Sequence, residues 1–345
     1  MPRSFRLAGA VALAVALAVA LPRAQQTAPA AAAPAATQTF DEFLAGLRAE
    51  AATRGISPAT IELALTHVEP LPVVTERDKS QPEEVITLDE YVKRRLTPKV
   101  LKSAREMAAT HADVLKQIDA TYGVPPAMMI AVWGVESNFG QFTGTRPIIS
   151  ALATLAYDGR RALFRTELFK ALEILDKGHI TLDQLKGSWA GAMGQPQFMP
   201  SSYLKYAVDF DNDGRADIWN TLPDVFASIA HYLKEYGWAP GTRWGREVKI
   251  AKAALPKIAK AVPMHAGGCK AERELTDFAP VTTWTKLGVT LASGKPLPAT
   301  DPELALVKGD KRHFLVTRNY LALIGYNCAN SYAVSLGLLA DAISQ

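Results

Sequence analysis

In the first half of the chain apolar residues recur at every third or fourth position, and this spacing commits the fold to packed α-helices. Phe40, Phe43, Leu44 and Leu47 draw one such stripe, which ends near Gly55, and Ser57-Pro58 starts a second short helix. Thr97 followed by Pro98 reads as an N-cap with proline at the first helical position, where the missing N–H has no partner to lose. From there Leu101, Ala104, Ala108, Leu115 and Ile118 mark a buried stripe as far as Gly123. Pro125-Pro126 launches the next helix, which carries Met129, Ile130, Trp133 and Glu136 and stops near Gly140. A further helix is predicted over 224–236, with Val225, Phe226, Ile229, Ala230 and Leu233 facing inward.

The pattern changes after Trp238. Residues 239–316 hold Gly, Pro and short alternating pieces such as EVKI and TTW between charged turns, which predicts a smaller, partly β subdomain. Helical spacing returns in 317–345, around Tyr332–Leu339. A chain of 345 residues, 48% hydrophobic, has material for one large core or two smaller ones. The expected class is mainly α within α+β. It comprises a helical region over 38–110, a core over 111–238, the β-containing subdomain and a C-terminal helical return.

A formal net charge of +4 and a pI near 8.9 suit an anionic surface but are too diffuse to indicate nucleic-acid binding. Arg3 and Arg6 precede an apolar run from Leu7 to Leu21, then Pro22, Arg23 and Ala24, the pattern of a secretory signal peptide over 1–24. No cysteine lies near it, so no lipid anchor is expected; the alternative is an uncleaved anchor, and since no second signal follows, no stable membrane anchor is expected. Residues 25–37 (QQTAPAAAAPAAT) read as a flexible Ala/Pro tether, and the mature protein is expected to be soluble and periplasmic. Export bears on Cys269 and Cys328: paired, they would close a loop worth about 4 kcal/mol in the chain-entropy model, and unpaired they would be two buried thiols.

The chemistry concentrates in two segments. AVWGVESNFG (131–140) has one acid, Glu136; GSWAGAMGQPQFMPSSY (187–203) is polar and aromatic with no acid at all. A glutamate at a helix C-terminus between Trp133 and Phe139 is disfavoured as a carboxylate by the helix dipole and by desolvation, so its pKa should rise toward that of a general acid. Otherwise it is a residue on a solvated helix face. Ordinary glycosidases need two carboxylates, and these segments supply one. No G-x-S-x-G, G-x-x-x-x-G-K or C-x-x-C occurs and the histidines lack ligand spacing, so serine-nucleophile, nucleotide and zinc chemistry are unsupported.

The runs YGVPPAMMIAVWGVESNFG, ALATLAYDGRRALF, GSWAGAMGQPQFMPSSYLKYAVDFDNDGRADIWN and SIAHYLKEYGW, in order from Tyr122 to Trp238, resemble the lytic murein transglycosylase B family of cell-wall enzymes; YNCANSYA (326–333) is a weaker echo. The resemblance implies a lysozyme-like α core and a single glutamate, Glu136, as catalytic acid and base. It also implies cleavage of the bond between MurNAc and GlcNAc of peptidoglycan glycan strands, with formation of a 1,6-anhydro ring. Ser188, Gln197, Phe198, Tyr232, Tyr326 and Asn327 match substrate-contacting positions, and Arg160 and Arg161 would pair with peptide or lactyl carboxylates. A hydrolytic muramidase is the alternative enzyme, and a peptidoglycan-binding protein without activity the alternative outside enzymes.

Asp209, Asp211, Asp213 and Gly214 form D-x-D-x-D-G, the opening of an EF-hand-type Ca2+ loop, with the Arg215 carbonyl at the seventh position and Asp217 at the ninth, acting through water. The twelfth position is Asn220 rather than glutamate. Relatives close an unusually long loop with a late aspartate, and Asp224 fits that place. The expected role is structural, and no cofactor is expected for catalysis.

Overall fold

The computed structural model describes residues 38–79, 86–159 and 162–345; the expected signal peptide, the Ala/Pro tether and the Arg160–Arg161 pair lie outside the described residues. Residues 40–345 pack as one unit. It is built mainly of helices, with a two-stranded and a four-stranded sheet, as the apolar spacing predicts.

The predicted starts are where the capping chemistry puts them. Ser57 Oγ accepts from Thr60 N–H before the Pro58–Leu65 helix, and Thr97 Oγ1 accepts from Val100 N–H before Pro98–Thr110. The single stripe expected from Thr97 to Gly123 is in fact two helices, Pro98–Thr110 and Ala112–Tyr122, separated at His111. The His111 ring packs on Trp133 and Phe226, at centroid distances of 6.0 and 5.6 Å. A kink between two helices that both face the core leaves the apolar spacing nearly unbroken, which is why the sequence reads it as one element.

The Pro126–Ser137 helix sits at the centre. Every residue from Ala127 to Gly134 is buried, so helices wrap it on all sides. The Asn330–Ile343, Pro98–Thr110, Ala112–Tyr122 and Leu222–Glu235 helices pack against it. The Asn330–Ile343 helix also receives the short Leu88–Arg95 helix, so a piece of the N-terminal region lies beside the central one.

Strands β1 (Arg146–Pro147) and β2 (Lys186–Gly187) pair antiparallel, Arg146 opposite Gly187. The second sheet contains β3 (Gly245–Lys249), β4 (Thr290–Leu291), β5 (Ala305–Lys308) and β6 (His313–Val316) in the order β4-β3-β6-β5. It carries its own small core, in which Val248, Ile258, Trp284, Leu304 and Leu315 are buried. The first three residues of EVKI do form strand, in β3, but TTW does not: it lies in a Val281–Lys286 helix launched by Pro280. Trp284 Nε1 donates to the carbonyls of Ala279 and Leu304, at 3.2 and 3.0 Å. A buried indole satisfied on two backbone oxygens outweighs the β preference of a three-residue piece. The Cys269–Cys328 disulfide ties this region to the loop before the Asn330–Ile343 helix.

Candidate active site

Glu136 occupies the last turn of the central helix. The helix stops because Asn138, Phe139 and Gly140 adopt φ of 50°, 59° and 78° in succession. Left-handed backbone at two non-glycine residues costs about 1–2 kcal/mol each and needs outside support. Ser137 Oγ supplies part of it, accepting from Gly140 N–H at 3.0 Å and donating to Trp133 O at 3.1 Å. The Phe139 ring then folds back over Gly134, where a Cβ would sit 2.6 Å from it.

The second segment forms a tight double turn around Met193, bridged to Gly187 on one side and Phe198 on the other. Ser188 Oγ accepts from Ala190 N–H at 3.3 Å and Ala192 N–H at 3.0 Å, so it holds the turn. Gln195 clamps the turn to the central helix: its Oε1 accepts from Trp133 Nε1 at 2.7 Å and its Nε2 donates to Trp219 O at 2.8 Å. Gly144, at φ 90°, lies against this turn; an added Cβ would meet the Gly187 carbonyl at 2.1 Å. Gln197 Nε2 donates to Thr143 O and Gly194 O, at 3.1 and 2.8 Å, so its amide ties the 143–144 loop to the turn.

Three predicted aromatics come together. Phe198, Tyr232 and Tyr326 form one cluster with centroid separations of 5.6, 5.9 and 4.6 Å. Tyr326 Oη donates to Pro196 O and Tyr232 Oη to Gly325 O, both at 2.7 Å. Phe198 and Tyr232 are only 2% and 5% exposed, so they back the site rather than form its surface. Asn327, at the end of the Asn319–Tyr326 helix, is exposed.

Tyr332 was not among the residues singled out from the sequence. It is the partner of Glu136: its hydroxyl donates to Glu136 Oε1 at 2.5 Å. The signal was present in YNCANSYA, six residues past Tyr326; a tyrosine that marks the buried face of a helix is ordinarily read as core. Burial pushes the Glu136 carboxyl up to about 7, against the opposing pull of the Tyr332 hydrogen bond and the Arg95 guanidinium. Burial and the nearby Glu136 charge hold the Tyr332 and Tyr326 hydroxyls well above the usual phenol range, so both stay protonated. Among the described residues, Tyr332 and Arg95 are the groups that act on Glu136, and no carboxylate does. The arrangement is a proton donor poised near neutrality, oriented by one hydroxyl.

The acidic loop lies beyond. Single oxygens of Asp209, Asp211 and Asp213 lie within 4.8 Å of one another. Backbone N–H groups of Asp213 and Gly214 donate to Asp209, and that of Arg215 to Asp213, in the pattern of a loop preformed around a cation. Asp224 is 1% exposed and closes the loop from beneath, accepting from Phe210 N–H and Asp217 N–H at 2.8 Å each. Burial, and repulsion from Asp211, raise its pKa. Asp217 turns away from the cluster and caps Trp219 and Asn220 N–H, both at 2.9 Å. The chemistry of the donors, hard carboxylate oxygens with no sulfur or imidazole, fits a hard divalent cation.

The chain matches the family model described as Transglycosylase SLT domain over residues 39–341. It is 39% identical over 153 residues to the membrane-bound lytic murein transglycosylase B of Escherichia coli (strain K12), covering 44% of this chain and only 42% of the length of that curated relative. SltB3 from Pseudomonas aeruginosa, solved in complex with NAG-anhNAM-pentapeptide, matches with a TM-score of 0.81 and 38% identity, covering 89% of this chain and 80% of that one. The Escherichia coli lytic transglycosylase Slt35, solved in complex with calcium, matches with a TM-score of 0.72 and 26% identity, covering 88% and 92%. The family match over residues 39–341, joined to the 39% and 38% identities, makes this chain a member of the transglycosylase SLT-domain family, within the lytic murein transglycosylase B group.

Proposed function

We propose that this chain is a lytic transglycosylase of peptidoglycan. The observation that carries the reading is Glu136: one carboxyl raised to about 7, with a tyrosine donor and no carboxylate partner. Protonated Glu136 gives its proton to the oxygen joining MurNAc to GlcNAc, and the C1–O bond breaks as the N-acetyl oxygen of the muramoyl sugar bonds to C1. Glu136, now a carboxylate, takes the proton from the same sugar's O6, which attacks C1 and expels the acetamido oxygen. The glutamate ends protonated and no water is consumed. In this reading Ser188, Gln197, Tyr326 and Asn327 read the sugar's polar groups, and the contacts of Phe198 and Tyr232 with Tyr326 hold that ring in position. SltB3 was solved in complex with NAG-anhNAM-pentapeptide and with NAG-NAM-pentapeptide, which supports peptidoglycan fragments as the ligands of this fold. Digested sacculi analysed by mass should yield muropeptides one water lighter than hydrolysis products; reducing ends instead would assign the chain to the muramidases.

Asp209, Asp211 and Asp213 hold a structural Ca2+, with the Arg215 carbonyl and Asp224 completing the loop. The Slt35 complex with calcium supports this. Those residues would thereby brace the segment whose Ile218 and Trp219 carbonyls accept from Gln195. A ligand bound only by the folded state adds about 2.7 kcal/mol at a hundredfold excess over its Kd. Millimolar calcium should therefore raise the melting temperature, and Asp213→Ala should remove most of the rise. Asp224→Ala lowers the melting temperature even without calcium, since two backbone N–H groups lose their acceptor. Only the calcium-dependent increment reports on Asp224 as a ligand.

The protein acts outside the cytoplasm, after removal of residues 1–24. The pairing of Cys269 with Cys328 supports an oxidising compartment, and none of the described helices is long and apolar enough to cross a membrane. N-terminal sequencing of the protein recovered from cells should begin near residue 25.

A further inference from the structure

Tyr332, whose hydroxyl meets Glu136, lies in the first turn of the Asn330–Ile343 helix, where backbone N–H groups have no partner within the helix. Ala329 stands at the N-cap and has no side-chain oxygen to offer them. The chain reaches this turn in extended conformation, with φ of −147° at Asn327 and −145° at Ala329, so the preceding Asn319–Tyr326 helix does not run on into it. Helix ends are where local opening costs least. A frayed first turn would carry the Tyr332 hydroxyl away from the carboxyl it orients.

What holds this turn comes from elsewhere in the chain. The Cys269–Cys328 disulfide joins the residue before Ala329 to the short Lys270–Arg273 helix. Ala271 N–H donates to Cys328 Sγ at 3.3 Å, and the Ala271 carbonyl accepts from Asn330 Nδ2 at 3.0 Å. Asn330 Nδ2 also donates to Glu274 Oε2 at 3.1 Å, and Asn330 Oδ1 accepts from the buried Tyr320 hydroxyl at 3.0 Å. Both polar atoms of the Asn330 amide are thus engaged, in place of the cap that Ala329 lacks. The anchor is itself rooted, because Ala271 and Leu275 are buried in the same core as Tyr332. Asn327 and Tyr332 flank this clamp on either side.

We propose that Asn330 and the Cys269–Cys328 disulfide are positioning residues of the reaction: they lock the first turn of the Asn330–Ile343 helix so that Tyr332 stays on Glu136. The assignment rests on the transglycosylase reading and makes turnover depend on the oxidised state of the two cysteines. Cys328 is exposed, so a dithiol can attack there. The dithiol gives up two electrons and two protons, closes to its own disulfide and leaves Cys269 and Cys328 as thiols. The turn is then held by Asn330 alone, and the Tyr332 hydroxyl spends less of its time on the carboxyl. The titratable or charged groups that face Glu136 are Tyr332, Tyr326, Tyr232 and Arg95. Burial holds all three phenols above their usual range, so a limb near pH 7 belongs to Glu136.

The test compares the full mature protein, oxidised, with the same protein after dithiothreitol and with the Cys269→Ser/Cys328→Ser and Asn330→Ala variants, all below their melting temperatures. Reduction and each variant should lower kcat on sacculi by about threefold to tenfold, part of what a hydrogen bond to a charged group is worth. The alkaline limb of kcat/KM should move to higher pH, because the Tyr332 bond holds the Glu136 pKa down. Reoxidation should restore both readings, and dithiothreitol should leave the double serine variant unchanged. In a Tyr332→Phe background none of these changes should move the limb, since the contact they act through is gone. A clamp that only stabilises the fold would lower the melting temperature and leave the limb in place, and that result overturns the assignment. So does a limb that moves just as far with Tyr332→Phe present. Should the double serine variant fail to fold, reduced wild type and Asn330→Ala give the same readings. Carboxyl NMR follows the Glu136 pKa without substrate, so an oxidised protein that cuts no sacculi removes the transglycosylase reading while the link from clamp to Glu136 is still decided.

Discussion

Glu136→Gln should abolish turnover on sacculi, by about three orders of magnitude or more, while glycan binding and fold persist. General acid–base catalysis by one group contributes roughly 10²–10⁴, and in the proposed mechanism the same group serves both half-reactions, with no carboxylate among the described residues acting on it. The same variant should be more stable than wild type at alkaline pH. The folded-state pKa of Glu136 is about 7, against an ordinary value of 4.5, so the folded protein holds a proton that the unfolded chain has released between those values. Stability therefore falls as pH rises through that window, and above pH 7 the desolvated carboxylate of the half-buried Glu136 costs up to about 3 kcal/mol, which glutamine does not incur. Urea unfolding at pH 4.5 and pH 8.5 measures the difference: near zero at the first and a gain for the variant at the second. Residual cleavage well above background would mean that another acid performs the chemistry.

Tyr332→Phe should lower the plateau kcat by about 10- to 100-fold, since a hydrogen bond to a charged group is worth about 1.5–3 kcal/mol and this one aims the carboxyl. Its diagnostic effect is on the pH profile. The active form of the donor is protonated, so in wild type kcat/KM declines as pH rises through about 7. The Tyr332 bond favours the carboxylate and holds the pKa down; removing it raises the pKa further, and the alkaline limb should move to higher pH. A limb that stays in place, or moves down, would show that Tyr332 only packs against Glu136.

Much of the architecture was legible before any coordinates. Thr97-Pro98 and Ser57-Pro58 start helices because capping is local: a side-chain oxygen meets an N–H three residues on. The break at His111 was hidden because both flanking helices bury the same face. TTW became helix because Trp284 found two distant carbonyls, information that three residues do not contain. The Arg160–Arg161 pair lies outside the described residues, so its pairing with substrate carboxylates stays a proposal.

By itself the sequence determined the family and the helical class and singled out Glu136 as the candidate acid, because each resides in contiguous residues: apolar spacing, caps, and one glutamate in a segment otherwise without acids. Tertiary structure decided the rest. Tyr332 stands 196 positions from Glu136, and their bond exists only because the Asn330–Ile343 helix packs on the central one. The raised pKa is likewise tertiary, since desolvation is the work of every helix that encloses Glu136 and of no single neighbour in sequence. The same holds for Asp224, whose place in the acidic loop depends on N–H groups 14 and 7 positions away. A carboxyl's identity is written locally, but its proton affinity is set by what the fold brings around it.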